Sequence, residues 1–163
     1  QKDNDAFEYI YEQTKRGVYA IIVSIIHDRQ MTEDLMQETY IKMLKNIHQY
    51  QKGRNFNAWV TQIAKNLAYD YLRETKHSML VDPIEQSHII NQTSDEKSQE
   101  DLTLDELIAP LDEEERQIVL LHIVSYTKFK DISSIVDKPL GTVLWMYQRA
   151  LKKIKNGLGK ENL

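Results

Sequence analysis

Apolar side chains recur at three- and four-residue steps in the first half of the chain, which is the spacing of one buried face of an α-helix. The pattern predicts one helix over residues 5–28, a second that Thr32 caps and that runs to about Ile47, and a third over about 57–76. Three helices of this length can close a small bundle. Neither an alternating strand pattern nor an internal repeat occurs in the sequence.

The second half shows the same helical spacing in shorter segments. These segments begin at Leu102, Asp112, about Lys128 and Pro139. Asp112 and Glu115 have the spacing of a capping box, and Gly157 is expected to stop the last helix after Asn156. The last two segments are joined by a turn of three or four residues, which is typical of a helix-turn-helix.

Between the halves, residues 77–101 have no sustained period, and 91–101 are almost wholly polar. This composition is typical of a flexible linker. We therefore predict an all-α fold with two small helical domains, 1–77 and 102–163, joined by an acidic linker, 78–101. The sequence does not indicate whether the two domains pack together.

Charge is distributed unevenly along the chain, although the total is only −4. The net charge is −2 over residues 1–50 and +3 over 51–77, then −11 over 78–115 and +6 over 116–163. Two basic blocks therefore flank an acidic one. This separation suits a protein whose two ends each meet a polyanion.

Composition excludes several classes of function. The chain has no cysteine, which removes disulfide scaffolds, thiolate nucleophiles and cysteine-containing zinc sites. No apolar run approaches the roughly 20 residues that cross a bilayer, so we expect no stable membrane insertion and a cytoplasmic location. The five histidines show no ligand spacing, and no phosphate-binding glycine loop is present. We expect no enzyme activity, no metal and no cofactor.

Two surfaces are candidates for nucleic-acid binding. The last helix ends in a basic run, and a basic second helix of a helix-turn-helix fits the major groove. The third helix presents amides and cations on its polar side, beside a turn of cations and aromatics at residues 50–56. For both helices the alternative is an ordinary solvated face. For the last helix this alternative is the weaker interpretation, but for the third helix it is not.

The apolar stripe of the second helix consists of Leu35, Met36, Tyr40, Met43, Leu44 and Ile47. Opposite this stripe lies an acidic patch formed by Asp34, Gln37 and Glu38. An acidic patch repels phosphate, but it suits docking to a basic protein surface. A plain solvated face explains these residues equally well.

Several segments together resemble the extracytoplasmic-function sigma factors, the small promoter-recognition subunits of bacterial RNA polymerase. The residues that carry the resemblance are TEDLMQETYIKMLKNI (32–47), FNAWVTQIAKNLAYDYLR (56–73), LDEEERQIVLLHIV, FKDISSIVDKPLGTV and QRALKKIK. They occur in the family's order over almost the full length. The resemblance implies an alternative sigma factor that binds core RNA polymerase and promoter DNA, does no chemistry itself, and is held by an anti-sigma protein.

The resemblance also implies roles for particular residues. Asp34, Gln37 and Glu38 would dock on the polymerase clamp. The minus-ten element would meet the turn and the third helix through Lys52, Arg54, Asn55, Lys65, Asn66, Asp70 and Arg73. The turn 51–55 would also hold a flipped base. The minus-thirty-five element would meet the last helix through Thr142, Trp145, Arg149, Lys152 and Lys153.

One segment departs from the family pattern. Leu144, Trp145 and Met146 stand where the family commonly has small and basic residues, and three consecutive side chains of a helix cannot all point inward. Some apolar surface is therefore expected to face outward, toward thymine methyls or a protein partner. Two alternatives stay open: a helix-turn-helix regulator that needs no polymerase, and an interaction protein that has lost promoter recognition.

Overall fold

The computed structural model describes residues 2–81 and 104–161, and all regular secondary structure in these two ranges is helical. Most of the predicted linker lies outside the described residues. The helices are α1 (Lys2–Ile25), α2 (Arg29–Lys45), α3 (Phe56–Val81), α4 (Leu104–Ile108), α5 (Glu113–Ile123), α6 (Phe129–Val136) and α7 (Leu140–Glu161), with a short 3-10 helix at Ile47–Gln49. The all-α prediction is confirmed.

The first three helices form the predicted bundle, in which α1 and α2 both pack on α3. The apolar stripe of α1 is fully buried at Val18, Ile21 and Ile22. On α3 the buried side is centred on Val60 and Ala64. Their short side chains allow the neighbouring helices to pack closely against α3. Three aromatic residues predicted for the inner side of α3 are only half-buried: Phe56, Trp59 and Tyr71.

Several predicted helix ends are wrong. The N-cap of α2 is Asp28, whose side chain accepts a hydrogen bond from Met31 N at 2.7 Å, and Thr32 is a buried residue of the first turn. The last helix does not stop at Gly157 but continues to Glu161. Glycine costs a helix only about 1 kcal/mol relative to alanine, which flanking helical residues can offset. In addition, α3 continues to Val81, into the segment predicted as linker.

The helices of the second half have the predicted start and turn. Asp112 and Glu115 form the capping box of α5, with both reciprocal hydrogen bonds present. A three-residue turn, 137–139, joins α6 to α7. Its first residue, Asp137, adopts the left-handed conformation with φ 55° and ψ 49°. Aspartate tolerates this conformation better than most residues, so the sharp turn between α6 and α7 is formed without glycine.

The two halves pack against each other. α5 lies on α1, α6 lies on α3, and one buried apolar cluster includes Ile21 and Val60 from the first half with Ile118 and Ile132 from the second. Within the first half, Gly17 allows α1 to lie close to α3, because a Cβ atom at this position would lie 3.0 Å from Thr61 Oγ1. The described residues therefore form one closed body.

Candidate nucleic-acid interface

The turn before α3 is exposed but well held. The hydroxyl of Tyr50 donates to the carbonyl of Arg54 at 2.5 Å, and its ring packs edge-on against Phe56 with centroids 5.0 Å apart. Gly53 has φ 94°, a conformation that side-chain-bearing residues rarely adopt. Asn55 caps α3 by accepting from Ala58 N at 3.1 Å. Three side chains predicted to bind DNA, Lys52, Arg54 and Asn55, are exposed on this turn, and these contacts hold its backbone in place.

The exposed side of α3 borders a cleft of about 730 Å³ between α2, α3 and the start of α5. Asn66, Asp70 and Arg73 line it, as predicted together for the minus-ten element. Asp70 and Arg73 form an exposed ion pair. Lys42 of α2 and Lys76 of α3 also line the cleft. Both cations were absent from the predicted site, and Lys42 reaches the cleft only because α2 packs on α3.

Lys65 lies on α3 but faces the second half of the molecule rather than this cleft. Its ammonium donates to the carbonyl of Ile135 at 2.8 Å, and Gln62 donates to the carbonyl of Ser134 at 2.8 Å. Burial lowers the pKa of the Lys65 ammonium. These carbonyls belong to the last turn of α6, where a helix lacks internal donors and favours a cation. Gln62 and Lys65 therefore cap α6.

Tyr69 links the same two halves a turn further along α3. Its hydroxyl donates to Glu113 Oε1 at 2.5 Å and accepts from Gln117 Nε2 at 2.7 Å. Burial, with the Glu113 carboxylate as acceptor, raises the pKa of the Tyr69 phenol to about 12. The phenol stays protonated at neutral pH, so the hydrogen bond to Glu113 is retained across the working range of the protein.

The outward side of α7 is formed mainly by Thr142, Leu144, Trp145 and Lys152, all exposed. Met146, in contrast, is 5% exposed and belongs to the core. The prediction that Leu144, Trp145 and Met146 cannot all face inward is confirmed. Since α7 packs on α4, α5 and α6, its outward side stays accessible in the closed body.

Arg149 and Lys153, predicted to contact DNA, are engaged inside the second half. Arg149 Nε donates to Glu115 Oε1 at 2.5 Å and its Nη2 donates to Asp112 Oδ2 at 2.9 Å, while Lys153 Nζ donates to Glu115 Oε2 at 2.7 Å. Burial alone would raise the pKa of the Glu115 carboxyl. The donors on Lys153, the Asp112 backbone and Arg149 outweigh burial and lower that pKa below its ordinary value. This cluster fixes the angle of α7 on α5.

On α2, the three residues of the acidic patch are exposed: Asp34, Gln37 and Glu38. Leu44 and Ile47 were predicted to lie in the inward stripe, but they are 53% and 44% exposed. Ile41, absent from every predicted site, is also 53% exposed. The predicted stripe leaves Ile41 out, so an apolar residue on the polar side of the helix was the signal in the sequence.

Within residues 2–81 and 104–161, no group of three or more histidine, aspartate or glutamate side chains is placed to hold a metal ion. Across the same part of the chain, none of the helices is long and apolar enough to span a membrane.

Comparison with known proteins matches the two halves to two family models. Sigma-70 region 2 matches residues 10–78, and sigma-70 region 4 matches residues 101–154. The relatives include SigM of Bacillus subtilis, 26% identical over 90% of this chain and 93% of its own length. BldN of Streptomyces coelicolor is 25% identical over 92% of this chain, which spans 59% of BldN. Both relatives are extracytoplasmic-function RNA polymerase sigma factors. The chain belongs to this sigma factor family.

Solved sigma factor structures share the fold. RpoE of Bartonella quintana, solved with the anti-sigma factor NepR, superposes with a TM-score of 0.76 at 20% identity over 94% of this chain and 97% of RpoE. CnrH, solved with the cytosolic domain of CnrY, superposes with a TM-score of 0.69 at 14% identity. These superpositions show the fold, with regions 2 and 4 on one closed helical body. By its family, the chain is an alternative sigma factor that directs transcription initiation.

Proposed function

We propose that this sigma factor docks on core RNA polymerase through the exposed side of α2. Asp34, Gln37 and Glu38 lie one turn apart on that side, and Ile41 and Leu44 continue it toward the C-terminal end of the helix. An acidic patch next to an apolar one suits a partner surface that is basic at one end and apolar at the other. The apolar residues extend the docking surface that the family resemblance implies.

The minus-ten element, in this proposal, lies along α3 and the turn before it. Lys52, Arg54 and Asn55 offer donors on the turn before α3, where a base turned out of the duplex would be held. Asn66, Asp70 and Arg73 lie further along the same helix, where they would meet the neighbouring nucleotides. Lys42 and Lys76 add positive charge at the rim of the cleft beside α3, where a phosphate backbone would pass.

The minus-thirty-five element meets the outward side of α7. Thr142, Trp145 and Lys152 contact the DNA directly, since they are exposed on the second helix of a helix-turn-helix. Arg149 and Lys153 act on DNA binding mainly by holding that helix against Glu115. We further propose that the sigma factor has no catalytic centre, works in the cytoplasm with the polymerase, and is restrained by an anti-sigma protein.

Binding to both elements requires the closed body to open. Elements centred about 25 base pairs apart are separated by roughly 85 Å of duplex, whereas a compact chain of this length has a radius of gyration of about 15 Å. In the closed body Lys65, a proposed minus-ten contact, is occupied by the carbonyl of Ile135. Opening would release Lys65 for DNA and separate α3 from α7.

The observation that carries the proposed function is that the exposed side of α3 and the outward face of α7 lie in two segments that match sigma-70 regions 2 and 4. The test is a reconstituted transcription assay with core polymerase and genomic DNA of the native host, in which transcript 5′ ends are sequenced. We expect a set of start sites that depends on this chain and shares two upstream elements.

Glu38→Arg tests the docking surface in the same assay. It reverses charge in the proposed polymerase interface, and we expect at least a tenfold loss of affinity for core polymerase, because like charges at an interface cost a few kcal/mol. Glu8→Arg on α1 makes the same charge change at another exposed position and serves as the control. Equal polymerase binding by the two variants would refute the docking surface. A tight specific complex with duplex DNA in the absence of polymerase would instead favour a free-standing regulator.

A further inference from the structure

The outward side of α7 carries two large apolar side chains in its second turn. Trp145 is 58% exposed and Leu144 is 41% exposed, whereas Val143 and Met146 on the other side of the helix are buried. Tryptophan is highly buried in most folded proteins, so a tryptophan with more than half its surface in water suggests a binding role.

Trp145 is also held in place before any partner binds. The guanidinium of Arg149 lies 4.7 Å from the centre of its ring, a cation–π contact. Arg149 in turn donates to the buried Glu115 and to Asp112. The indole therefore loses little conformational freedom when it meets a partner, which favours specific recognition.

We propose that Leu144 and Trp145 read thymine bases in the minus-thirty-five element through contact with the thymine C5-methyl group. This inference rests on the proposed binding of α7 to that element. The N-terminal residues of a recognition helix reach base edges in the major groove, and the only apolar group on those edges is the thymine methyl. Lys152 and Lys155 are exposed further along the same helix, which favours a polyanionic partner over a protein with an apolar surface.

The test uses DNA that differs from the binding site by single methyl groups. Holoenzyme assembled from the full chain and core polymerase selects sites from a library of randomised duplexes, and the selected upstream element is resynthesised with deoxyuridine replacing one thymidine at a time. We expect about a fourfold loss of affinity at two thymidine positions, the ratio that corresponds to about 0.8 kcal/mol for one buried methyl or methylene group.

Protein variants assign each methyl to its side chain. Trp145→Ala is expected to bind thymidine and deoxyuridine duplexes equally at one of the two positions, and Leu144→Ala equally at the other. Gln148→Ala changes an exposed neighbour on the same helix and is expected to keep both fourfold differences. The deoxyuridine experiment with the unmodified protein does not depend on how well any variant folds, because the nucleotide replacement leaves the protein unaltered.

The outcomes separate this inference from the proposed function. If the holoenzyme selects sites and transcribes from them, but no thymidine position distinguishes thymine from uracil, only the thymine inference is overturned. The same holds if Trp145→Ala and Leu144→Ala keep both differences. If no holoenzyme forms, or it selects no DNA, the proposed function itself fails.

Discussion

Glu115 joins α5 and α7 through one buried carboxylate. It completes the capping box of α5 with Asp112, and it accepts hydrogen bonds from Arg149 and Lys153 of α7. Its side chain has no exposed surface. A buried carboxylate is stable only when such donors surround it, so the second half depends on all of these contacts together.

Glu115→Gln should lower the free energy of unfolding by about 2 kcal/mol, because hydrogen bonds to a charged group contribute roughly 1.5–3 kcal/mol. Urea unfolding of the full chain at pH 7 measures this change. Glu114→Gln, the same substitution at the exposed neighbouring position, should stay within about 0.5 kcal/mol of the unmodified chain. Equal stability of the two variants would contradict the role given to Glu115.

The pH dependence of stability has a definite sign here. The folded-state pKa of Glu115 is lowered, so its contribution is fully present above the ordinary carboxyl pKa of about 4.3 and is lost as the pH falls through the lower folded value. Glu115→Gln should therefore flatten the fall in stability below about pH 4.3.

Residue-level prediction from sequence succeeded where partners are close in the chain. The capping box was predictable, because Asp112 and Glu115 are three residues apart and serve the same helix end. The bonds from Arg149 and Lys153 to Glu115 were not, because they join residues 34 and 38 positions apart. A basic run at the end of a helix looks the same in sequence whether it faces phosphate or a buried carboxylate.

At the scale of elements, helical spacing predicted every α-helix of the described residues, because a buried stripe repeats with the helix period. Helix ends were less predictable. Asp28 and Thr32 are both good N-cap residues, and only the packing of α2 decides between them. Exposure was also misassigned on α2, since Leu44 and Ile47 fit the apolar stripe yet lie on its edge.

Two neighbouring lysines of α7 have different surroundings, which gives a prediction for the salt dependence of DNA binding. Lys152 is exposed and available to a phosphate, whereas Lys153 is bound to Glu115. For the holoenzyme on a selected duplex, Lys152→Ala should reduce the slope of log K against log salt by about 0.9, the value for one phosphate contact. Lys153→Ala should leave the slope unchanged but lower the free energy of unfolding by about 1 kcal/mol. A larger slope change for Lys153→Ala would place that lysine on the DNA.

At the scale of the whole molecule, the closed body links the regulation of this sigma factor to its DNA-binding surfaces. Gln62, Lys65 and Tyr69 project from α3 into contacts with α5 and α6. The apolar cluster shared by the two halves adds to these contacts. Binding to promoter DNA must therefore compete with contacts inside the protein, and a partner that stabilises the closed body would keep the factor inactive.

The closed packing was not predictable from the sequence. Polar residues such as Gln62 and Lys65 fit a solvated face, a DNA contact or an interface equally well, and their acceptors are backbone carbonyls about 70 positions away, which carry no sequence signal. The separate charge blocks predict two functional ends. They carried no information on whether those ends touch in the free protein.

The opening of the body on the polymerase is the central claim, and the distance between the two halves tests it most directly. The chain has no cysteine, so one introduced at Glu8 on α1 and one at Asn156 on α7 can carry a pair of spin labels at exposed positions. Pulsed electron paramagnetic resonance should give one defined distance for the free chain and an increase of several tens of ångströms in the transcriptionally active complex with polymerase and promoter. An active complex that keeps the distance of the free chain would contradict the account.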